Sequence, residues 1–238
     1  QIAYVMPSNQ YPTGIAMPIG RRMELLKWAA EEENHYVIED DYDSEFRYKG
    51  KPLPSLQASD KAGKVVYIGT FSKAIAPAIR ISYMVLPYPL LERYRSGCAF
   101  YSSTVSGIDQ NILNEFIQDG YFERYLNKMR KRYKEKHDLI LNELRSFEKA
   151  FHISASNAGL HVVLTDKMGR REEELAQAAR WEDVKVYQMK DFRMSRDIGE
   201  SEATDANEQA ALILGYGALE QEEMKEGLAR LRKAWELK

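Results

Sequence analysis

Two short apolar runs, each ending in a cluster of chemically active residues, limit what this chain can fold into. The first is Tyr36-Val37-Ile38-Glu39-Asp40-Asp41-Tyr42, and the second is Val65-Val66-Tyr67-Ile68-Gly69-Thr70-Phe71-Ser72-Lys73. Runs this short, rich in β-branched and aromatic residues, read as buried strands. Ile2–Met6 is a third strand of the same kind. Between it and residue 36, Ile19, Met23, Leu26 and Ala30 recur at helical spacing behind Pro18, which predicts an amphipathic helix over 18–33. Strand, helix, strand is a parallel crossover unit. It collects the polar strand ends at the carboxyl edge of an α/β sheet, where such folds bind ligands.

At that edge Lys73 offers an amine, Thr70 and Ser72 two hydroxyls, and Arg80, seven residues on, a guanidinium. An amine condenses with an aldehyde to a Schiff base. Hydroxyls and a forked guanidinium hold a phosphate. Pyridoxal 5′-phosphate is the common cofactor that carries both groups. Asp40 supplies an acid for its pyridine nitrogen, which keeps the ring an electron sink, and Tyr42 a phenol beside the ring hydroxyl. Taken alone, T-F-S-K is more often a surface lysine after an ordinary strand. The acid and phenol at a neighbouring strand end give it weight.

The rest of the chain is predicted as follows. Residues 43–63 form a polar connection punctuated by Pro52 and Pro54, and 81–86 form a strand. Helices run over about 90–97, 103–118 and 121–147, with Asp119-Gly120 as the break between the last two. Met129, Tyr133, His137 and Ile140 share one face of the long helix. Its six basic residues over 128–136 read as a solvated face rather than a nucleic-acid site, because they lie largely off that stripe. From about residue 146 the pattern changes to short strands (152–154, 160–164, 184–188, 211–214) alternating with helices 171–181 and 220–235, a small α+β domain. The domains are thus 1–145 and 146–238, and the polar segment 193–209 reads as a mobile loop.

Composition excludes several classes. With 44% hydrophobic and 29% charged residues and a net charge of −2, the 238-residue chain has no field that would draw it to nucleic acid or an anionic membrane. No apolar run approaches membrane-spanning length. The single cysteine, Cys98, fits a reducing compartment, and the chain reads as cytoplasmic. His35, His137, His152 and His161 are scattered without metal-ligand spacing, so no metal is expected. Trp28, Trp181 and Trp235 read as helix packing residues.

Several motifs together carry a resemblance: P-S-N-Q-Y-P-T-G at 7–14, R-R-x-x-L-L-x-W-A at 21–29, I-E-D-D-Y-D-S-E-F at 38–46, G-T-F-S-K at 69–73, Ile79-Arg80, N-A-G-L-H at 157–161 and L-G-Y-G at 214–217. In this order, and over nearly the whole chain, they resemble the aminotransferase-like domain of MocR/GabR bacterial transcription regulators, within the fold-type I pyridoxal-phosphate enzymes. The resemblance implies an α/β fold: the C-terminal part of a fold-type I large domain plus a small α+β C-terminal domain. It implies that Lys73 forms the Schiff base, Asp40 pairs with the pyridine nitrogen, Tyr42 meets the ring hydroxyl, and Thr70, Ser72 and Arg80 hold the phosphate. Asn9 lies in the loop that reads Asn-Pro-Thr-Gly in aminotransferases, but Tyr11 stands directly before Pro-Thr-Gly here. Asn9 either reaches the ring hydroxyl from two residues earlier or caps a turn.

The resemblance further implies a longer parent protein. Its winged-helix domain, linker and first third of the aminotransferase-like domain would lie outside this chain, along with part of the cofactor pocket. The chain begins abruptly, without Met, in a strand. A homodimer is expected, with DNA bound only through the absent domain. Family members grip a carboxylate with an arginine near residues 217–218. Here Gly215-Tyr216-Gly217-Ala218-Leu219 has none, which argues against GABA as effector and against ordinary transamination. The expected function is therefore sensing of an amine or amino-acid-derived effector by Schiff-base exchange at Lys73. The alternatives are a working aminotransferase, or a chain that folds and dimerises without cofactor.

Overall fold

The computed structural model describes residues 1–48, 50, 53–98, 100–102, 104–154, 158–193 and 209–237. The expected loop at 193–209 falls almost wholly outside these residues, as do Pro52, Ser103 and Asn157. Two compact units emerge. The first comprises Gln1–Tyr11, Ile15–Lys131 and Asn157–Gly159, and the second Pro12–Gly14, Arg132–Ser156 and Leu160–Lys238.

The first unit is a four-stranded sheet in the order β1 (Ile2–Val5), β2 (Tyr36–Asp41), β3 (Val65–Thr70), β4 (Ser82–Val85). The first three strands are parallel and β4 runs antiparallel to β3. Helix α1 (Ile19–Glu31) makes the crossover from β1 to β2, with Pro18 at its N-cap rather than inside its first turn. Burial alternates along β2. Val37, Glu39 and Asp41 are buried, while Tyr36, Ile38 and Asp40 face the other side. The buried face packs Val37 and Val65 against Ala29 of α1 and Leu56. Both edges carry exposed apolar side chains, Ile2 and Tyr4 on β1 and Tyr83, Met84 and Val85 on β4.

Two buried charges tie the connections to this sheet. The guanidinium of Arg22 donates to the carbonyls of Met17 (3.0 Å), Pro54 (2.6 Å) and Pro7 (2.7 Å). The carboxylate of Glu39 accepts from the backbone N–H groups of Leu56 and Gln57, each at 2.9 Å. It thereby caps the one-turn helix α2 (Leu56–Ser59), which the connection 43–63 contains beyond what its composition predicts. Burial pushes the Glu39 carboxyl up, against those two hydrogen bonds.

A one-turn helix α3 (Phe71–Ala74), a 3-10 turn (Pro77–Ile79), α4 (Tyr88–Gly97) and α5 (Gly107–Gln118) complete this unit before the long α6 (Tyr121–Leu144), which runs on into the second. In α6, His137 and Ile140 are buried and Met129 and Tyr133 half-buried, the face expected from the sequence. Lys136 departs from the expected solvated basic run. It is 3% exposed, and its ammonium donates to the Gly217 carbonyl at 3.2 Å.

The second unit is a mixed α+β layer. Strands β5 (Phe151–Ser154), β6 (His161–Asp166), β7 (Tyr187–Gln188) and β8 (Ala211–Gly215) form an antiparallel sheet in the order β5-β6-β8-β7. Helices α7 (Glu172–Trp181) and α8 (Gln221–Ala234) bring Leu175, Leu228 and Leu231 into one core with Phe151, Leu164 and Leu212. Trp235 is buried there, its indole donating to the Leu175 carbonyl at 2.9 Å. Trp181 corrects the sequence expectation. The buried face of α7 is Leu175, Ala176 and Ala179, and Trp181 turns off that face to stand 77% exposed. No helix among the described residues is long and apolar enough to cross a membrane.

Candidate functional site

The strand register of the first unit assembles the site. Asp40 pairs directly with Ile68, and Thr70 with Ser82. Side chains alternate faces along a strand, so Asp40 and then Tyr42, Ile68 and Thr70, and Ser82 emerge on one face at the carboxyl ends of β2 and β3. Lys73 follows within the one-turn helix α3. Six of the seven residues singled out from the sequence, Asp40, Tyr42, Thr70, Ser72, Lys73 and Arg80, line one open cleft of about 510 Å³, together with Met6, Tyr11, Ile68 and Ser82.

The Tyr4 hydroxyl donates to Asp40 Oδ2, and this bond to a carboxylate pushes the Tyr4 phenol up to about 12. Tyr42 donates its hydroxyl to the Asn9 carbonyl at 2.8 Å, and burial pushes its phenol up. The Tyr11 ring meets Tyr42 edge-on, centroids 6.5 Å apart, and the Lys73 ammonium lies 5.2 Å from the Tyr42 ring centroid. Thr70 caps α3, its hydroxyl oxygen accepting from Ser72 N–H at 3.1 Å while donating to the Ile81 carbonyl at 3.3 Å. Arg80 closes the 3-10 turn at φ 51°, a left-handed conformation that costs a non-glycine residue about 1 kcal/mol or more. Among the described residues neither the Lys73 ammonium nor the Arg80 guanidinium has an ion-pair partner. Two unpaired cations, a serine hydroxyl and a carboxylate in one cleft are a donor set for an anionic, nitrogen-containing ligand.

Asn9 lies one layer behind the cleft. It is 1% exposed, and its amide donates to Asp43 Oδ2 at 2.8 Å, so it reaches Tyr42 through its backbone carbonyl. Behind β2, Asp41 accepts from the hydroxyls of Ser44 (2.7 Å) and Tyr67 (2.8 Å), and the Tyr83 ring lies so close to Gly69 that a Cβ there would overlap it. Sequence reasoning missed Tyr4, Met6, Ile68, Ser82 and Asp43. The two-residue period of the strands carries a signal for the first four, once the register is known.

The sequence matches the profile of the family described as "Aminotransferase class I and II" over residues 5–207. The chain belongs to that family. Among aminotransferase-like relatives, the uncharacterized HTH-type transcriptional regulator YhdI of Bacillus subtilis (strain 168) is 39% identical over 98% of this chain and 48% of its own length. The probable rhizopine catabolism regulatory protein MocR of Rhizobium meliloti is 32% identical over 99% of this chain and 46% of its own. The chain thus spans about half the length of the curated relatives it matches. Among solved aminotransferases, the α-aminoadipate aminotransferase LysN from Thermus thermophilus, complexed with N-(5′-phosphopyridoxyl)-L-leucine, superposes with a TM-score of 0.79 at 27% identity. That match covers 98% of this chain and 58% of LysN. The fold is that of part of a fold-type I aminotransferase large domain followed by a small α+β domain, and the MocR-type resemblance read from the motifs holds along the chain.

Proposed function

We propose that this chain is the effector-binding and oligomerisation part of a MocR-type transcription regulator, built on a pyridoxal 5′-phosphate site at Lys73. The observation that carries the reading is the cleft itself. Strand register brings an amine, a guanidinium, an acid, a phenol and two hydroxyls together from sequence positions 40–80. The residues fit the group. Arg80 and Ser72 would hold its phosphate, with Thr70 shaping the turn that presents Ser72. Asp40, kept in place by Tyr4, would accept from the pyridine nitrogen. The Tyr42 oxygen, its proton given to Asn9, keeps lone pairs for the ring hydroxyl. Asn9 acts from behind Tyr42.

When bound, the cofactor supplies an aldehyde for amine exchange and a ring that withdraws electrons. Lys73 would hold the place that an incoming amino compound takes, and its amine would be the group that such a compound displaces. The whole regulator would act in the cytoplasm as a homodimer and reach DNA through a separate part of the protein. Its response needs an effector that binds two arrangements with different affinity. Identity to a regulator of 39% over 98% of the chain, against 30% over 62% for the aromatic-amino-acid aminotransferase 1 of Thermococcus litoralis, and a five-residue stretch 215–219 without arginine support regulation over amino-acid transamination.

Absorbance spectra with added pyridoxal 5′-phosphate test the reading. The wild-type chain gains a visible band that the Lys73→Ala variant lacks, and the effector is then sought among amines that shift it. The absence of any Lys73-dependent band, both in this chain and in the full-length regulator, refutes the reading.

A further inference from the structure

The pair behind Tyr42 carries more than its place in the fold requires. Asp43 and Asn9 are each 1% exposed. They share one hydrogen bond, Asn9 Nδ2 to Asp43 Oδ2 at 2.8 Å. The remaining oxygen of each, Asp43 Oδ1 and Asn9 Oδ1, is buried without a hydrogen-bond partner among the described residues. The backbone of Gly159 is pressed against this pair. A Cβ there would fall inside contact distance of the Asn9 amide and 3.2 Å from Asp43 Oδ2. Gly159 cannot easily withdraw, because its N–H donates to the Phe46 carbonyl at 3.2 Å and its carbonyl accepts from the Tyr48 hydroxyl at 2.7 Å.

Two orphaned acceptors in one buried pair are costly. A single proton on Asp43 Oδ1 converts one of them into a donor and removes the buried charge. The surroundings agree. Asp41 and Glu45, in the same stretch of chain, and burial all oppose a negative Asp43. Lys73 and the Asn9 amide favour one, and burial prevails, pushing the carboxyl up to about 7. Burial, and after it the charge of Asp43, also push the Tyr42 phenol up, so it stays neutral.

We propose that Asp43 is a positioning residue of the cleft: its neutral carboxyl clamps the Asn9 side chain against Gly159, and so fixes the Asn9 carbonyl that holds Tyr42 under Lys73. The proton on Asp43 Oδ1 would be shared with the orphaned Asn9 oxygen; its loss would remove that second link, set an anion beside Asn9 Oδ1 and leave the Nδ2–H bond to Oδ2 to hold the pair by itself, so the cleft would loosen as pH rises through about 7. The consequence for cofactor binding rests on the function proposed above. The proton on Asp43 does not.

Two measurements test it on the same preparations. The first uses no cofactor. Difference infrared spectra against Asp43→Asn, taken across the pH range, should show a protonated-carboxyl C=O stretch at about pH 6 that fades above about pH 7. If no such signal is assignable to Asp43 at about pH 6, the proposal is overturned. The second is pyridoxal 5′-phosphate affinity from the Lys73-dependent band. Asp43→Asn, which keeps the shape and cannot ionise, should match wild type within about twofold at pH 6 and bind about tenfold more tightly by pH 8. Asp43→Ala should be weaker at both. Parallel pH profiles for wild type and Asp43→Asn overturn the positioning role. Should wild type give no Lys73-dependent band at all, the failure lies with the proposed cofactor function, and the infrared result still decides the proton on Asp43.

Discussion

Replacing Gly159 with alanine should damage the first unit far more than the addition of one methyl group suggests. Two costs combine. Gly159 has φ +82°, where an L side chain is strained by about 1–2 kcal/mol. The new Cβ also enters the space of the Asn9 amide and crowds Asp43, so their buried hydrogen bond must break or stretch, at about 1–3 kcal/mol. Backbone retreat would give up the Phe46 and Tyr48 hydrogen bonds instead, so relaxation offers little relief. The expected loss is about 3 kcal/mol, which for a chain of this size lowers Tm by about 6–12 °C. Thermal unfolding followed by circular dichroism, with urea denaturation for the free energy, measures it. A loss under about 1 kcal/mol would refute the reasoning, because it would mean that the Asn9–Asp43 pair yields without cost.

The other glycine of interest predicts the opposite sign. Gly227 lies inside α8, where a Cβ would meet nothing within 4 Å, so Gly227→Ala should stabilise the second unit by up to about 1 kcal/mol in urea denaturation. Stability should also depend on pH through Asp43. The folded state keeps this proton up to about 7 and the unfolded chain only to the ordinary 3.8. Between those values the folded state binds more protons, so its stability falls as pH rises, by at most about 4 kcal/mol in all. Urea titrations from about pH 5 to 8 should show this slope in wild type and a flatter one in Asp43→Asn.

The parts of this structure that were legible in sequence were those set by local pattern. The runs at 36–41 and 65–70 are too short and too β-branched for helices, and the 3.6-residue stripe of α1 between two strands dictated a parallel crossover. That crossover makes β1 and β2 parallel; the polar ends of β2 and β3 meet because those two strands also pair in parallel. Illegible parts depend on register or on distant chain. Tyr4 is an ordinary strand tyrosine until pairing with β2 brings it to Asp40. Glu39 and Asp41 look like Asp40 in sequence, and only the pleat sends them to the opposite face, one to cap α2 and the other to hold Ser44 and Tyr67. Arg22 gave no sign that it would satisfy three carbonyls. Asn9 stands behind the cleft rather than in it, and its amide turns to Asp43, a partner that only the folded loop provides.

The seat of Gly159 has a consequence for the newly made protein. Its bond to Tyr48 joins residues 111 apart, and at the usual pace of synthesis, about 5–20 residues per second, that interval lasts roughly 5–20 s. For most of it, once residue 73 has been made, the nascent chain carries its strand ends and Lys73 with no Gly159 behind Asn9 and Asp43. Such long-range closure is slow even in a finished chain, since loop entropy must be met before the contact gives anything back. The rear wall of the cleft is therefore set by the ribosome's clock, and slow decoding between the codons for Tyr48 and Gly159 would lengthen the time in which chaperones or proteases meet an unfinished site.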